Sequence, residues 1–145
     1  MDLDRMLDKC RRGQWRVDDL DWDRTPRPLP RAVEERVVQS FTDMVEIETI
    51  AGGLFAQQRE RTDDPRLQAI FASFVRDEHR HGQVARRLAR YYDRHGYRQY
   101  RPNPHLLRFA PRLQEASRHV SAVVADFYVT TGELLLVGAL LRSLD

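Results

Sequence analysis

The stretch Phe71-Ala-Ser-Phe-Val-Arg-Asp-Glu-His-Arg-His81 decides how the chain reads. Extended in both directions at heptad spacing it becomes Leu67, Phe71, Phe74, Glu78, His81, Ala85, Leu88 and Tyr92, which share one face of an α-helix. All are apolar or aromatic except a carboxylate and an imidazole one turn apart. Burying an unpaired charge is costly, so a Glu-x-x-His pair on a core-facing stripe implies that something there uses it. Side chains at i and i+3 point the same way and can grip one metal ion, which makes Glu78 and His81 candidate ligands. The competing reading is a salt bridge, for which Arg76 and Arg80 are on hand. His79 faces away from the stripe and reads as solvated.

Working outward toward the N-terminus, Thr62-Asp-Asp-Pro65 reads as a short turn, with Asp64 as N-cap and Pro65 in the first helical position. The second long helix then runs to about Arg94, with His95-Gly96 as its stop. Before the turn, a first long helix is expected from about Arg31 to Arg61. Its seam is Val37, Phe41, Met44, Glu48, Ala51 and Phe55, again heptad-spaced with one acid inside. Glu46 falls in the row Gln39, Thr42, Glu46, Gly53, Gln57 and reads as the wet side. In an antiparallel hairpin at about 1.5 Å per residue, Glu48 and Glu78 come to nearly the same height. Gly52 and Gly53 permit either close helix approach or a local bend.

Residues 1–30 are rich in Asp, Arg and Pro and end in Pro26-Arg-Pro-Leu-Pro30, so they read as a leader packing on the bundle. A short starting helix is expected there, with Trp15 and Trp22 capping the end or side of the bundle. Residues 96–112, with Pro102, Pro104 and Pro111, read as an irregular connection long enough to run the length of a bundle. A third helix is expected from Leu113 to the chain end, through Gly132-Glu-Leu-Leu-Leu-Val-Gly-Ala-Leu-Leu141. Glu133 shares a row with His119, Val123, Asp126, Thr130, Val137 and Leu140, which places a third acid on an apolar helix. Such a helix calls for a covering element, either a C-terminal continuation or a second copy in a homodimer.

Charge excludes little and supports little. Lysine and arginine number 24 against 22 aspartates and glutamates, so the formal charge is only +2, and basic residues are interleaved with acids. The densest patch, Arg86, Arg87, Arg90, Arg94, Arg98 and Arg101, suits an acidic carrier protein but carries no nucleic-acid-binding motif, so no nucleic-acid partner is expected. No apolar run is long enough for a membrane span, and no secretory signal opens the chain. A single Cys10 suits a reducing compartment, and the expected location is cytoplasmic.

Three inward acids and one histidine on three helices resemble the ferritin-like di-iron carboxylate superfamily, as does the run Asp77-Glu-His-Arg-His81-Gly. The long gap from Glu78 to Glu133 is similar to the acyl-carrier desaturase and arylamine N-oxygenase branches more than to compact ferritins. The resemblance covers residues 31–145 and implies an all-α, ferritin-like antiparallel helical bundle with three of four core helices present. It also implies a metal site of Glu48, Glu78, His81 and Glu133, with His119 and Asp126 as supporting partners. The implied cofactor is two non-haem iron ions, with manganese as the alternative. The implied activity is O₂-dependent oxidation of a small or carrier-bound substrate; the alternatives are a ferroxidase or a metal-free helical interaction module. The pattern departs from the superfamily in lacking a fourth helix with a second Glu-x-x-His. Three glutamates leave two ferrous ions short of charge balance and of imidazole. Truncation after Asp145 is the favoured explanation, and completion by a second copy is the other.

Overall fold

A computed structural model describes residues 2–97, 101–121, 123–124 and 131. Every regular element among them is helical: α1 (Leu3–Arg12), a 3₁₀ turn (Val17–Asp19), α2 (Arg31–Glu60), α3 (Pro65–Tyr92) and α4 (Pro104–His119). None of these helices is long and apolar enough to cross a membrane. The long helices α2 and α3 form an antiparallel hairpin, with α1 lying on α3 and α4 on α2. The hairpin turn forms as its residues dictate. The Asp64 carboxylate accepts the Arg66 backbone N–H at 2.8 Å, and Pro65 occupies the first helical position, where no N–H is needed.

The buried positions of α2 and α3 include a run of small residues, chiefly on α3. On α3 the buried positions are Ile70, Ser73, Glu78, Gly82, Ala85 and Ala89, and on α2 they are Glu34, Val38, Thr42, Ile50, Ala51, Leu54 and Gln58. The large residues of the heptad stripe flank these positions. Phe55 tilts against Phe74 with ring centres 5.1 Å apart, and Phe41 stacks on Tyr92 at 5.9 Å. Small residues let helix backbones approach, whereas aromatics need room, so the stripe straddles the contact instead of filling it. His81 therefore sits at the solvent edge of the seam and not within it. The row assigned to the wet side is also corrected: Thr42 is buried, its hydroxyl donating to the Val38 carbonyl at 2.7 Å.

The third helix also differs from expectation. Residues 104–112 are helical, because Asn103 caps the His105 N–H at 2.9 Å and Pro104 takes the first position, repeating the Asp64-Pro65 device. Pro111 is accommodated inside α4. The helix is not continuous from Leu113 onward: at Val120 the backbone is extended (φ −96°, ψ 160°). α4 docks Leu106, Ala110 and Leu113 on Ile50, Leu54 and Phe55, forming the apolar cluster at that end of α2.

The other end of the hairpin is clasped by Glu34, which is only 1% exposed. One of its oxygens, Oε1, accepts the backbone N–H groups of Arg94 and His95, each at 2.8 Å, and the His95 Nδ1 at 2.9 Å. Gly96, at φ +67°, then turns the chain in a conformation that suits glycine. Burial pulls the Glu34 carboxyl upward, but the hydrogen bonds and charge of His95 and the Arg94 amide outweigh it and hold Glu34 below its usual value.

A carboxyl held low stabilises the fold above its unfolded pKa, near 4.5, and loses that contribution as pH falls through the folded value. Glu34→Gln keeps an acceptor for the two amides and is expected to flatten the acid limb of stability. Glu34→Ala strands both amides and is expected to be the less stable variant at neutral pH. Urea midpoints measured from pH 7 down to pH 3 check both; an acid limb unchanged in Glu34→Gln refutes the clasp.

Candidate metal centre

Glu48 and Glu78 lie at similar distances from the hairpin turn, one on each helix, so antiparallel packing brings them level. Their side chains are 14% and 9% exposed. His81, one turn beyond Glu78, aims Nδ1 back at both: it lies 3.2 Å from Glu78 Oε2 and 3.6 Å from Glu48 Oε2. One ligand atom from each of Glu48, Glu78 and His81 falls within 4.8 Å of the others, and no other residue among those described joins them.

The electrostatics of this triad are unusual in one respect. An acid faces an acid, and no arginine among the described residues forms a salt bridge with either one. Arg80, the nearest candidate for a salt bridge, pairs with Asp77, leaving its Nε buried without a partner. Burial first, and then the Glu48 carboxylate beside it, raise the Glu78 carboxyl above its usual value, with His81 working against them. Hydrogen bonding to Glu48 and to Glu78 raises the His81 imidazole to about 10 despite burial. Without a metal, His81 is thus the cation that holds two acids together.

The two acids are framed by a pattern repeated on both helices, Glu48-Thr-Ile-Ala-Gly52 and Glu78-His-Arg-His-Gly82. A methyl placed on Gly52 would lie 3.5 Å from Glu78 Cβ, and one on Gly82 would lie 3.7 Å from Glu48 Cβ. Each glycine therefore sits across from the other helix's acid. The bare backbone on this side opens a cleft of ≈ 230 Å³ whose wall includes both acids, Val45, Thr49, Val75 and Arg86. Away from that cleft, the Trp15 ring stacks on His81 with centres 5.9 Å apart and planes 23° from parallel.

The other predicted residues fall elsewhere. His119 lies at the end of α4, 73% exposed, with Nε2 2.9 Å from Glu115 Oε1, and the structure does not bring it to the triad. α4 starts beside Asp43 and ends beside Gln57 and Arg61 of α2, and His119 lies at the Arg61 end. Glu133 and Asp126 lie outside the described residues. His79 is exposed as expected and contacts Gln83 at 3.0 Å, on the rim of the cleft. Sequence reasoning missed Trp15 as a neighbour of His81 and missed the paired glycines; the repeated Glu-x-x-x-Gly was the available signal for the latter. Comparison of the chain with protein-family models, curated proteins and solved structures returns no match.

Two expectations follow for the metal-free protein. His81 has a folded pKa raised from 6.5 to about 10, so its stabilising contribution is complete below pH 6.5 and is lost as pH rises through about 10. Glu78, also raised, acts in the same direction from its ordinary range upward. The urea midpoint is expected to fall between pH 7 and pH 10, and this slope should largely vanish in His81→Gln. Separately, Gly82→Ala fits at ordinary contact distance and removes a helical glycine, so it is expected to stabilise by about 0.5–1 kcal/mol. Gly82→Leu would instead drive a side chain into Glu48 and lower the melting temperature; calorimetry on the two variants checks the close approach.

Proposed function

We propose that Glu48, Glu78 and His81 bind a divalent transition metal and form the described half of a non-haem di-iron centre. The observation that carries this reading is the meeting of two carboxylates and one imidazole at a single point, with no arginine among the described residues in salt-bridge contact with either acid. Two carboxylates balance the charge of one divalent cation, and a mixed oxygen and nitrogen donor set suits iron or manganese. In this reading Nδ1 is the His81 ligand atom, because it is the ring nitrogen facing the acids. A second ion needs further donors, for which Glu133 is the candidate on this chain, joined by a following segment or by a second copy.

Iron held by such carboxylate and imidazole donors supplies the electrons that reduce O₂ and the oxidising power to attack a C–H or N–H bond. The chain's own residues set the conditions for that chemistry. Glu48 and Glu78 supply the negative charge, the α2–α3 seam excludes water from one flank, and the cleft beside Gly52 and Gly82 leaves room for a small organic substrate. That cleft favours substrate oxidation over iron storage, which needs the ligands but no pocket. Arg86 in its wall, with Arg90 in the neighbouring cavity, fits an anionic or carrier-bound substrate.

The test is anaerobic ferrous titration of the protein followed by Mössbauer spectroscopy after exposure to air. The expected result is iron uptake abolished by Glu78→Gln and His81→Ala, with a magnetically coupled ferric pair when the site is complete. Binding must displace the His81 proton, so apparent affinity is expected to rise about tenfold per pH unit for each proton released. Uptake that is unchanged in both variants, or independent of pH across the neutral range, would rule this reading out.

A further inference from the structure

We infer that Trp15 is a positioning residue for the Glu48–Glu78–His81 site: its indole holds the His81 ring with Nδ1 turned toward the two carboxylates. The inference rests on the metal-binding reading above and extends it to a segment that the sequence assigns to a leader. His81 needs such help. It sits at the edge of the α2–α3 seam, and its side chain remains 44% exposed even with the neighbouring indole in place. An imidazole so placed is free to swing into water. The residue that restrains it is Trp15, stacked at 5.9 Å, with the Arg80 guanidinium carbon 5.6 Å from the same indole centre.

The indole is itself held on both sides along the chain. Before it, the Gln14 amide donates to the Cys10 carbonyl at 2.8 Å and to Ser73 Oγ at 3.1 Å, and Ser73 is only 2% exposed. After it, the Asp18 carboxylate accepts from Arg87 at 2.9 Å, and the Arg87 guanidinium lies 4.4 Å over the Trp22 ring. Trp22 then meets Tyr91 edge-on at 6.2 Å, and the Tyr91 hydroxyl donates to the Arg24 carbonyl. Residues 14–24 thus run alongside α3, touching it successively at 73, 80–81, 87 and 91. Trp15 is the member of this strap that reaches the site. Groups that orient a ligand from outside the coordination shell typically change metal affinity about 10- to 100-fold when removed.

Cobalt(II) is the probe, because its visible bands report ligand number and its open shell quenches indole fluorescence. In a Trp22→Phe background Trp15 is the sole tryptophan, since the chain has 2. Bound cobalt is expected to quench its emission; full emission with cobalt bound would place the ring away from the site and overturn the inference. Trp15→Ala is expected to weaken cobalt binding about tenfold and to alter the visible bands, while Trp15→Phe restores most of the affinity. If Trp15→Ala binds cobalt as the parent does, with the same bands, Trp15 serves only to anchor the strap and the inference fails while the triad stands. If the parent protein binds no cobalt, the triad reading fails and this inference falls with it. The quenching measurement needs only the Trp22→Phe protein, so the inference stays open to refutation even if Trp15→Ala does not fold.

Discussion

Two carboxylates that face one another between packed helices are the constraint around which the rest of the hairpin is arranged. In water such a pair repels weakly; between α2 and α3, with little solvent to screen it, the repulsion is stronger and each acid also loses hydration. The molecule answers with one imidazole, turned so that a single nitrogen serves both acids. That arrangement demands a fixed helix register, because a slip of one residue would rotate either acid off the shared line. It also goes with the small buried residues of α3, and with Gly52 and Gly82, each of which lies across from the other helix's acid.

Glu34 shows what a structural buried acid looks like in the same protein. It is more deeply buried than Glu78, yet it meets only donors: two backbone amides and the His95 ring. Its charged form is favoured, and it does one job, tying the chain after α3 to the start of α2. Glu78 meets an acid and a shared imidazole, and its charged form is disfavoured. A fold in need of stability alone gains nothing from that second arrangement, since an apolar pair in the same space would pack at less electrostatic cost. The contrast between the two acids is the physical argument for a bound cation at Glu48 and Glu78.

The site has two unlike flanks. Toward α1 it meets an aromatic ring on a strap anchored along α3. Toward the glycines it opens to a cleft, and the Val45 and Arg86 of its wall also line a second, neighbouring cavity with Arg90 and Pro102. The two flanks arise from two sequence features of opposite kind: a bulky indole on one and missing side chains on the other.

Much of the fold was legible in the residues. Heptad spacing of aromatics, the Asp64-Pro65 start and the proline-rich stretch before Arg31 determined two long antiparallel helices, because capping and periodicity are local and act through neighbouring backbone. Glu48 and Glu78 could be set level by counting from the turn, since helical rise is constant. Asn103-Pro104 spelled a helix start as plainly as Asp64-Pro65, but the prolines around it were read as breakers. The side chains that complete the site were another matter. Which edge of the stripe faces water, how Trp15 reaches His81 across a stretch of irregular chain, and how Glu34 finds the far end of α3 depend on packing between segments distant in sequence. No local pattern encodes such contacts; they exist only once the helices have chosen which small residues to press together.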